Sequence, residues 1–252
     1  VIRHFDEAIA ERVEREHGLA RGTLAAAAFQ DDLLGRLCTG RLSRAAWIEH
    51  VGELVGAPAA AAERFGDIGV VDPAMLDVIA RIRASGRPVA ILTNGTDTIP
   101  DELRTLGIAP CVDAVFNTAE IGVMKPDPAA YLHVCEVLRV RPGHVFFADD
   151  SARNVEAAER VGMLAHRFVD VQGLVAQLRE GGAHHRAGGD LHQGHTRGLG
   201  HEGDGARGAG VDLEHVEVVA LQGELDVHQA DNLQFAGEGD GDAADLVLDG
   251  GG

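Results

Sequence analysis

Apolar positions recur at helical spacing in the opening stretch of the chain, then give way to short apolar runs that alternate with amphipathic segments. Phe5, Ile9 and Val13 fall every four residues and share one helical face. Ser43 has the chemistry of an N-cap, ahead of Trp47, Val51, Leu54 and Val55 on a buried side. Residues 57–62 lie close to a helix–helix connection, and a helix starts again before Phe65. Residues 1–69 therefore read as a small all-helical unit, with no β-rich run and with Trp47 and Phe65 in its core.

The texture changes near residue 70. Asp72-Pro73 pairs an N-cap with proline at the first helical position, ahead of Leu76, Ile79 and Ile82, and Gly86 ends that helix. Residues 88–92 (PVAIL) form a short apolar strand that runs into the polar turn Thr93-Asn94-Gly95-Thr96. A helix over 101–106 and a strand over 114–116 follow. After a loop to Pro128 comes a helix with Leu132, Cys135 and Leu138 on one side, Cys135 as core packing. A strand over 145–148 ends in Asp149-Asp150. A helix over 151–161, a strand over 164–169 and a helix over 171–178 complete the series. Repeated units of this kind predict an α/β fold over 70–180, a doubly wound parallel sheet with helices on both faces. Ligands in such sheets gather at the carboxyl ends of the strands.

Residues 181–252 break the pattern. They hold 18 of the 33 glycines, 7 of the 13 histidines and no lysine. Some strand-like alternation over 211–227 is flanked by Gly, His and Asp, with little to bury. This segment reads as a disordered tail, or as a non-native reading of GC-rich DNA. His184, His185, His192 and His195 have loose metal-like spacing, but in a glycine-rich setting they do not read as a built site.

Charge and cysteine usage narrow the partners. The net charge is −18, and residues 181–252 carry 14 acids against 3 arginines, a net of −11, which leaves −18 + 11 = −7 for the rest. Such a chain is repelled by nucleic acid and by anionic membrane, so neither is expected as a partner. Cys38, Cys111 and Cys135 are odd in number and far apart, which suits neither a disulfide framework nor a zinc ribbon and points to a reducing cytoplasm. No apolar run reaches the roughly 18–20 residues of a membrane span, and no basic and apolar leader opens the chain.

Three polar clusters stand at or just past predicted strand ends: Thr93-Asn94-Gly95, then Lys125 within Gly122-Val-Met-Lys-Pro-Asp-Pro128, then Asp149-Asp150. Lys125 is the sole lysine among 22 lysines and arginines, and arginine cannot replace it as a compact point charge. Together the clusters supply a hydroxyl with backbone N–H groups, one cation and two carboxylates. That set suits phosphoryl transfer, with donors for non-bridging oxygens, a lysine to offset charge and an acid pair for a divalent cation. An oxygen-only ligand set favours Mg²⁺. Receiver domains also gather paired acids, Thr and Lys, but in the opposite chain order, so that fold is rejected.

The sequence LTNG, then KPDP, then ADDSARNVEAAERVGM resembles motifs two, three and four of the haloacid dehalogenase superfamily, and the helical unit resembles its small helical cap. The resemblance implies a Rossmannoid core at 70–180 with a cap at 1–69. It implies that Thr93 and Asn94, with Gly95, contact the phosphoryl or leaving-group oxygen. Lys125 would hold the nucleophile and the phosphoryl charge, Asp150 would ligate Mg²⁺, and Asp149 would be a second metal-associated carboxylate. Ser151 and Asn154 would buttress that loop. The implied function is a Mg²⁺-dependent phosphatase acting on a small phosphate ester through an aspartyl-phosphate. The alternatives are a carbon–halogen hydrolase acting on a halogenated substrate, or a truncated non-catalytic remnant. The family's nucleophile lies in a D-x-D pair that ends a strand ahead of the cap. Here Phe5-Asp6-Glu7 already falls in a helix, and Asp240-Gly241-Asp242 lies in the tail, on no strand. The first strand and its nucleophile are thus expected to lie outside this sequence.

Overall fold

Two very short strands bracket a set of five helices. In the computed structural model, which describes residues 1–188, β1 (Arg3–His4) and β2 (Val70–Val71) pair antiparallel, joining the start of the chain to the return from the helical unit. Between them run α1 (Glu7–Glu16), α2 (Thr23–Ala28), α3 (Asp31–Cys38), α4 (Arg44–Val55) and α5 (Pro58–Phe65). Local chemistry starts these helices where the sequence predicts: Ser43 Oγ accepts the Ala46 N–H at 3.2 Å and so caps α4. Trp47 and Phe65 are buried with ring centroids 4.6 Å apart, and the indole N–H donates to the Ala28 carbonyl. Gly52 lets α4 and α5 approach, since a Cβ there would stand 2.7 Å from Pro58 Cα.

The rest alternates. In order come α6 (Pro73–Ala84), β3 (Ala90–Thr93), α7 (Ile99–Thr105), β4 (Ala114–Asn117), α8 (Thr118–Ile121), α9 (Pro128–Leu138), β5 (Phe146–Asp149), α10 (Ala152–Arg160), β6 (Leu164–Arg167) and α11 (Val171–Gly188). Asp72 caps α6, with Pro73 at its first position. β3 pairs parallel with β4, and β5 parallel with β6. Side chains alternate across them with the period of two that strands impose. Ile91, Phe146 and Ala148 join α6, α7 and α11 in one apolar cluster, while Ala90, Leu92 and Phe147 join α9 and α10 in another. Helices therefore cover both faces, as the βα pattern predicts. No helix is long and apolar enough to cross a membrane among the described residues. The expectations for the tail fall outside the described residues, except that α11 continues past residue 178 to Gly188.

Two features were not foreseen. Val1 and Ile2 do not belong with the helical unit: they are buried in the α/β core beside Ile79 and Ile91, and β1 is a strand. Phe5 lies before the N-cap Asp6, outside α1, and stacks under the Arg3 guanidinium. Also, among the described residues β3 is bonded only to β4 and β5 only to β6, although all four residues of each strand are buried.

The helical unit meets the α/β core where Gly40 faces α8. Gly40 has φ +71°, and a Cβ there would stand 2.1 Å from the Ala119 carbonyl oxygen. Gly40→Ala is therefore expected to destabilise, with the left-handed backbone alone costing about 1–2 kcal/mol. A urea unfolding midpoint identical to that of the parent chain would show that this approach does not persist in solution.

Candidate active site

The carboxyl ends of β3, β4 and β5 present Thr93, Asn117 and Asp149, all buried. Register places Thr93 directly beside Asn117. The loops that leave these ends carry the polar residues that the sequence singles out.

Lys125 is fully buried, and its Nζ donates to Asp149 Oδ2 at 2.6 Å. The ammonium also stands 5.6 Å from the centre of the Phe147 ring. The other Asp149 oxygen, Oδ1, accepts the Ser151 N–H at 2.9 Å and the Asn154 amide at 3.1 Å. Asn154 is itself held by Tyr131, whose hydroxyl donates to its carbonyl at 2.9 Å. Ser151 supports the loop through its backbone rather than its hydroxyl, at the N-cap of α10, where the helix dipole favours an anion. Both oxygens of Asp149 are thus engaged by protein donors.

Asn94 joins two of these loops. Its Oδ1 accepts the Lys125 N–H at 2.8 Å, and its Nδ2 donates to the Lys125 carbonyl at 3.0 Å. The side chain thereby ties the 93–98 loop to the lysine loop, and its amide is engaged at both ends. Cys38, at the end of α3, reaches the same loop, its thiol 3.7 Å from the Asn94 carbonyl.

Asp150 differs from its neighbour. Its Oδ1 is buried and has no hydrogen-bond partner among the described residues. Burial raises its carboxyl above the ordinary carboxylate range, and the charge of Asp149 acts in the same direction.

Two residues that the sequence reading missed organise the loop after β3. Asn117 donates to the Thr96 carbonyl at 2.8 Å and accepts the Ala119 N–H at 3.3 Å. A polar residue closing the apolar run AVFN was the available signal. Glu102, on α7, accepts from the Thr98 hydroxyl, and Thr98 in turn meets Thr96 Oγ1 at 2.8 Å. No sequence signal separates Glu102 from an ordinary helical surface acid.

A buried ion pair is costly, because the penalty for removing each ion from water remains roughly several kcal/mol. Such pairs in a crevice at strand ends mark sites where charge is used. Among the described residues no group of three or more His, Cys, Asp or Glu could hold a metal. A divalent cation here would depend on few carboxylates, which is the habit of Mg²⁺ completed by water and phosphate rather than of Zn²⁺.

A profile for haloacid dehalogenase-like hydrolases matches residues 3–162. The chain is 28% identical over 163 residues to validoxylamine A 7'-phosphate phosphatase of Streptomyces hygroscopicus subsp. limoneus, covering 60% of this chain and 72% of that protein. It is 31% identical over 91 residues to (S)-2-haloacid dehalogenase 1 of a Pseudomonas strain, covering 36% of this chain and only 40% of that relative. Among solved structures, a HAD family enzyme of Bacteroides thetaiotaomicron, determined with magnesium and inorganic phosphate, superposes with a TM-score of 0.55 at 20% identity. That match covers 66% of this chain and 88% of the other, and it speaks for the fold alone. With a profile match over more than half its length and the three loops gathered on one buried lysine, the chain belongs to the haloacid dehalogenase-like hydrolase family.

Proposed function

We propose that this site serves a Mg²⁺-dependent phosphatase acting on a small phosphate ester through an aspartyl-phosphate. The observation that carries the reading is the buried, unpartnered Oδ1 of Asp150, next to an Asp149 whose own oxygens are taken. A hard carboxylate oxygen without a donor fits a hard cation, so Asp150 is the residue that would hold Mg²⁺. Bound there, the ion would offset charge on the phosphoryl oxygens and fix the group's orientation. Asp149 instead orients Lys125, which faces the developing charge. The Thr93 hydroxyl and the backbone N–H groups after it donate to the remaining non-bridging oxygens. The helical unit α1–α5, as a cap, excludes water and shapes the choice of ester.

The nucleophile in this reading is an aspartate on a further strand seated between β3 and β5. The open edges of those two buried strands support that place, as does the packing of Val1 and Ile2 beside Ile91, Phe146 and Ala148. Its carboxylate oxygen attacks phosphorus, the ester P–O bond breaks, and the leaving oxygen takes a proton from the second acid of a D-x-D pair. Water then cleaves the acyl-phosphate, releases inorganic phosphate and restores the carboxylate.

The codons upstream of Val1 should encode an apolar strand of about 5–6 residues ending in D-x-D. A chain carrying that strand should release phosphate from 4-nitrophenyl phosphate with Mg²⁺. Chloride release from 2-chloropropionate without phosphate release would establish the dehalogenase instead. Asp150→Asn should weaken Mg²⁺ binding, measured calorimetrically with inorganic phosphate present, by at least about the 10- to 100-fold seen when residues behind metal ligands are changed. Unaltered affinity would remove Asp150 from the cation site.

A further inference from the structure

One carboxylate gathers both chain passages between the helical unit and the α/β core. Glu102 is 6% exposed. Its Oε2 accepts from Arg3 Nη1 at 2.6 Å, and Arg3 lies in β1, on the passage into the helical unit. The same nitrogen donates to the Ile68 carbonyl at 3.0 Å, on the passage back. Its Oε1 accepts from Arg44 Nη1, and Arg44 opens α4. The other Arg44 nitrogen, Nη2, donates to the carbonyls of Phe65 and Asp67 at 2.7 and 2.8 Å, again on the return passage. The Arg44 backbone N–H reaches Asp97 Oδ1 at 2.7 Å, so α4 also touches the loop that follows Thr93 directly.

The same Oε1 accepts from the Thr98 hydroxyl. A hydroxyl has one proton, and here it is committed to Glu102, while the Thr98 oxygen takes Arg44 Nη1 at 3.3 Å and lies 2.8 Å from Thr96 Oγ1. The Thr96 carbonyl is in turn held by Asn117. A continuous set of charge-assisted bonds thus runs from both inter-unit passages and from α4 into the 93–98 loop. Burial acts against the Glu102 charge, but the hydrogen bonds from Thr98 and Arg3 and the two guanidinium charges outweigh it and hold the carboxyl below its usual range.

We propose that Glu102 is a positioning residue that couples the attitude of the helical unit to the conformation of the 93–98 loop. If the unit swings away, Arg44 leaves both Glu102 and Asp97, and the Thr98–Thr96 arrangement loses the charge that orders it. If the loop is ordered by a bound phosphoryl group, the same bonds favour the seated unit, because coupling between two sites is reciprocal. A plain staple would need one arginine on one segment. The convergence of two arginines, two passages and a loop threonine on a single carboxylate is what distinguishes a coupler. The link to phosphate rests on the reading of the 93–98 loop as a phosphoryl cradle; the link to the helical unit does not.

Hydrogen exchange of the full chain, read on peptides covering 66–72 and 93–98, tests both links. In the parent protein, Mg²⁺ with inorganic phosphate should slow exchange in both peptides. Glu102→Gln should speed exchange of 66–72 and 93–98 by about tenfold without ligand, the size of a typical coupling. Thr98→Val keeps both arginine pairs, so 66–72 should stay slow without ligand, but phosphate should no longer slow it. Asp101→Asn, which removes an exposed pair with Arg104 on the same helix, should change neither. Glu102→Gln exchanging like the parent in both peptides would overturn the proposal. If Glu102→Gln does not fold, Thr98→Val decides, and phosphate slowing 66–72 as in the parent would overturn it. If phosphate slows nothing in a parent chain that carries the further strand, the phosphatase reading fails, and the ligand-free comparison of Glu102→Gln with the parent still decides the coupling to the helical unit.

Discussion

Replacing Lys125 by Met should lower the unfolding free energy by about 3–5 kcal/mol, the usual result of removing one partner from a buried ion pair. That is a large share of the roughly 5–15 kcal/mol that holds a domain together. Both side chains of the pair are fully buried, so no water replaces the lost ammonium. Asp149 would keep the Ser151 N–H and the Asn154 amide, which moderates the loss but leaves its charge uncompensated. Adding Asp149→Asn to Lys125→Met should therefore recover part of the stability, since an amide oxygen still accepts both bonds and carries no charge. Lys125→Arg is not a conservative rescue: a larger, planar guanidinium enters a site with no exposed surface, and overpacking costs about 1–3 kcal/mol. The measurement is the urea midpoint at constant slope. A Lys125→Met chain as stable as the parent would mean that the pair is not buried in solution.

Much of this site was legible because βα topology sends all strand ends to one crevice. Once PVAIL, AVF and VFFA read as strands, the polar clusters after them, with Thr93, Lys125 and Asp149, had to converge. The sole lysine marked itself by composition, and Ser43 and Asp72 marked their helices by local capping chemistry. The pairings within the site were not legible. Asn94 and Lys125 are 31 residues apart, and their bonds depend on the shapes of two loops that no periodicity describes. Nothing in the pair Asp149-Asp150 says which acid takes the lysine; in the fold Asp149 closes β5 and meets Lys125, while Asp150 already lies in the loop. From sequence, residues 1–4 read as part of the helical unit, because a two-residue strand has no period to detect and Val1-Ile2 is equally apolar in either setting. Glu102 was invisible for a similar reason. On an amphipathic helix an acid reads as solvated, and only the arrival of Arg3 and Arg44 from remote segments shows otherwise.

Gly95→Ala should have the other large effect, on binding more than on stability. A Cβ at Gly95 would stand 2.4 Å from Ile99 Cγ1 and 2.7 Å from Asn117 Oδ1. Neither neighbour can yield. Ile99 is 3% exposed within the apolar cluster that holds Ile91 and Leu103. The Asn117 amide is fixed at both ends, by the Thr96 carbonyl and the Ala119 N–H. The loop itself must therefore shift, and it carries Thr93 and Asn94 with it. A misplacement of about 1 Å in a positioning segment can cost on the order of 100-fold in catalysis, because the reacting groups no longer meet at the required distance and angle. The stability cost is smaller, about 1–3 kcal/mol for an added methyl group in a packed site. Gly35→Ala is the comparison, since a Cβ there meets nothing within 4 Å and lies inside α3. It should be neutral or add up to about 1 kcal/mol of helix stability. Calorimetric affinity for Mg²⁺ with inorganic phosphate separates the two variants. Gly95→Ala binding phosphate as tightly as Gly35→Ala would show that the loop after β3 is not the phosphate cradle, and the role given to Thr93 and the N–H groups after it would then have to be withdrawn.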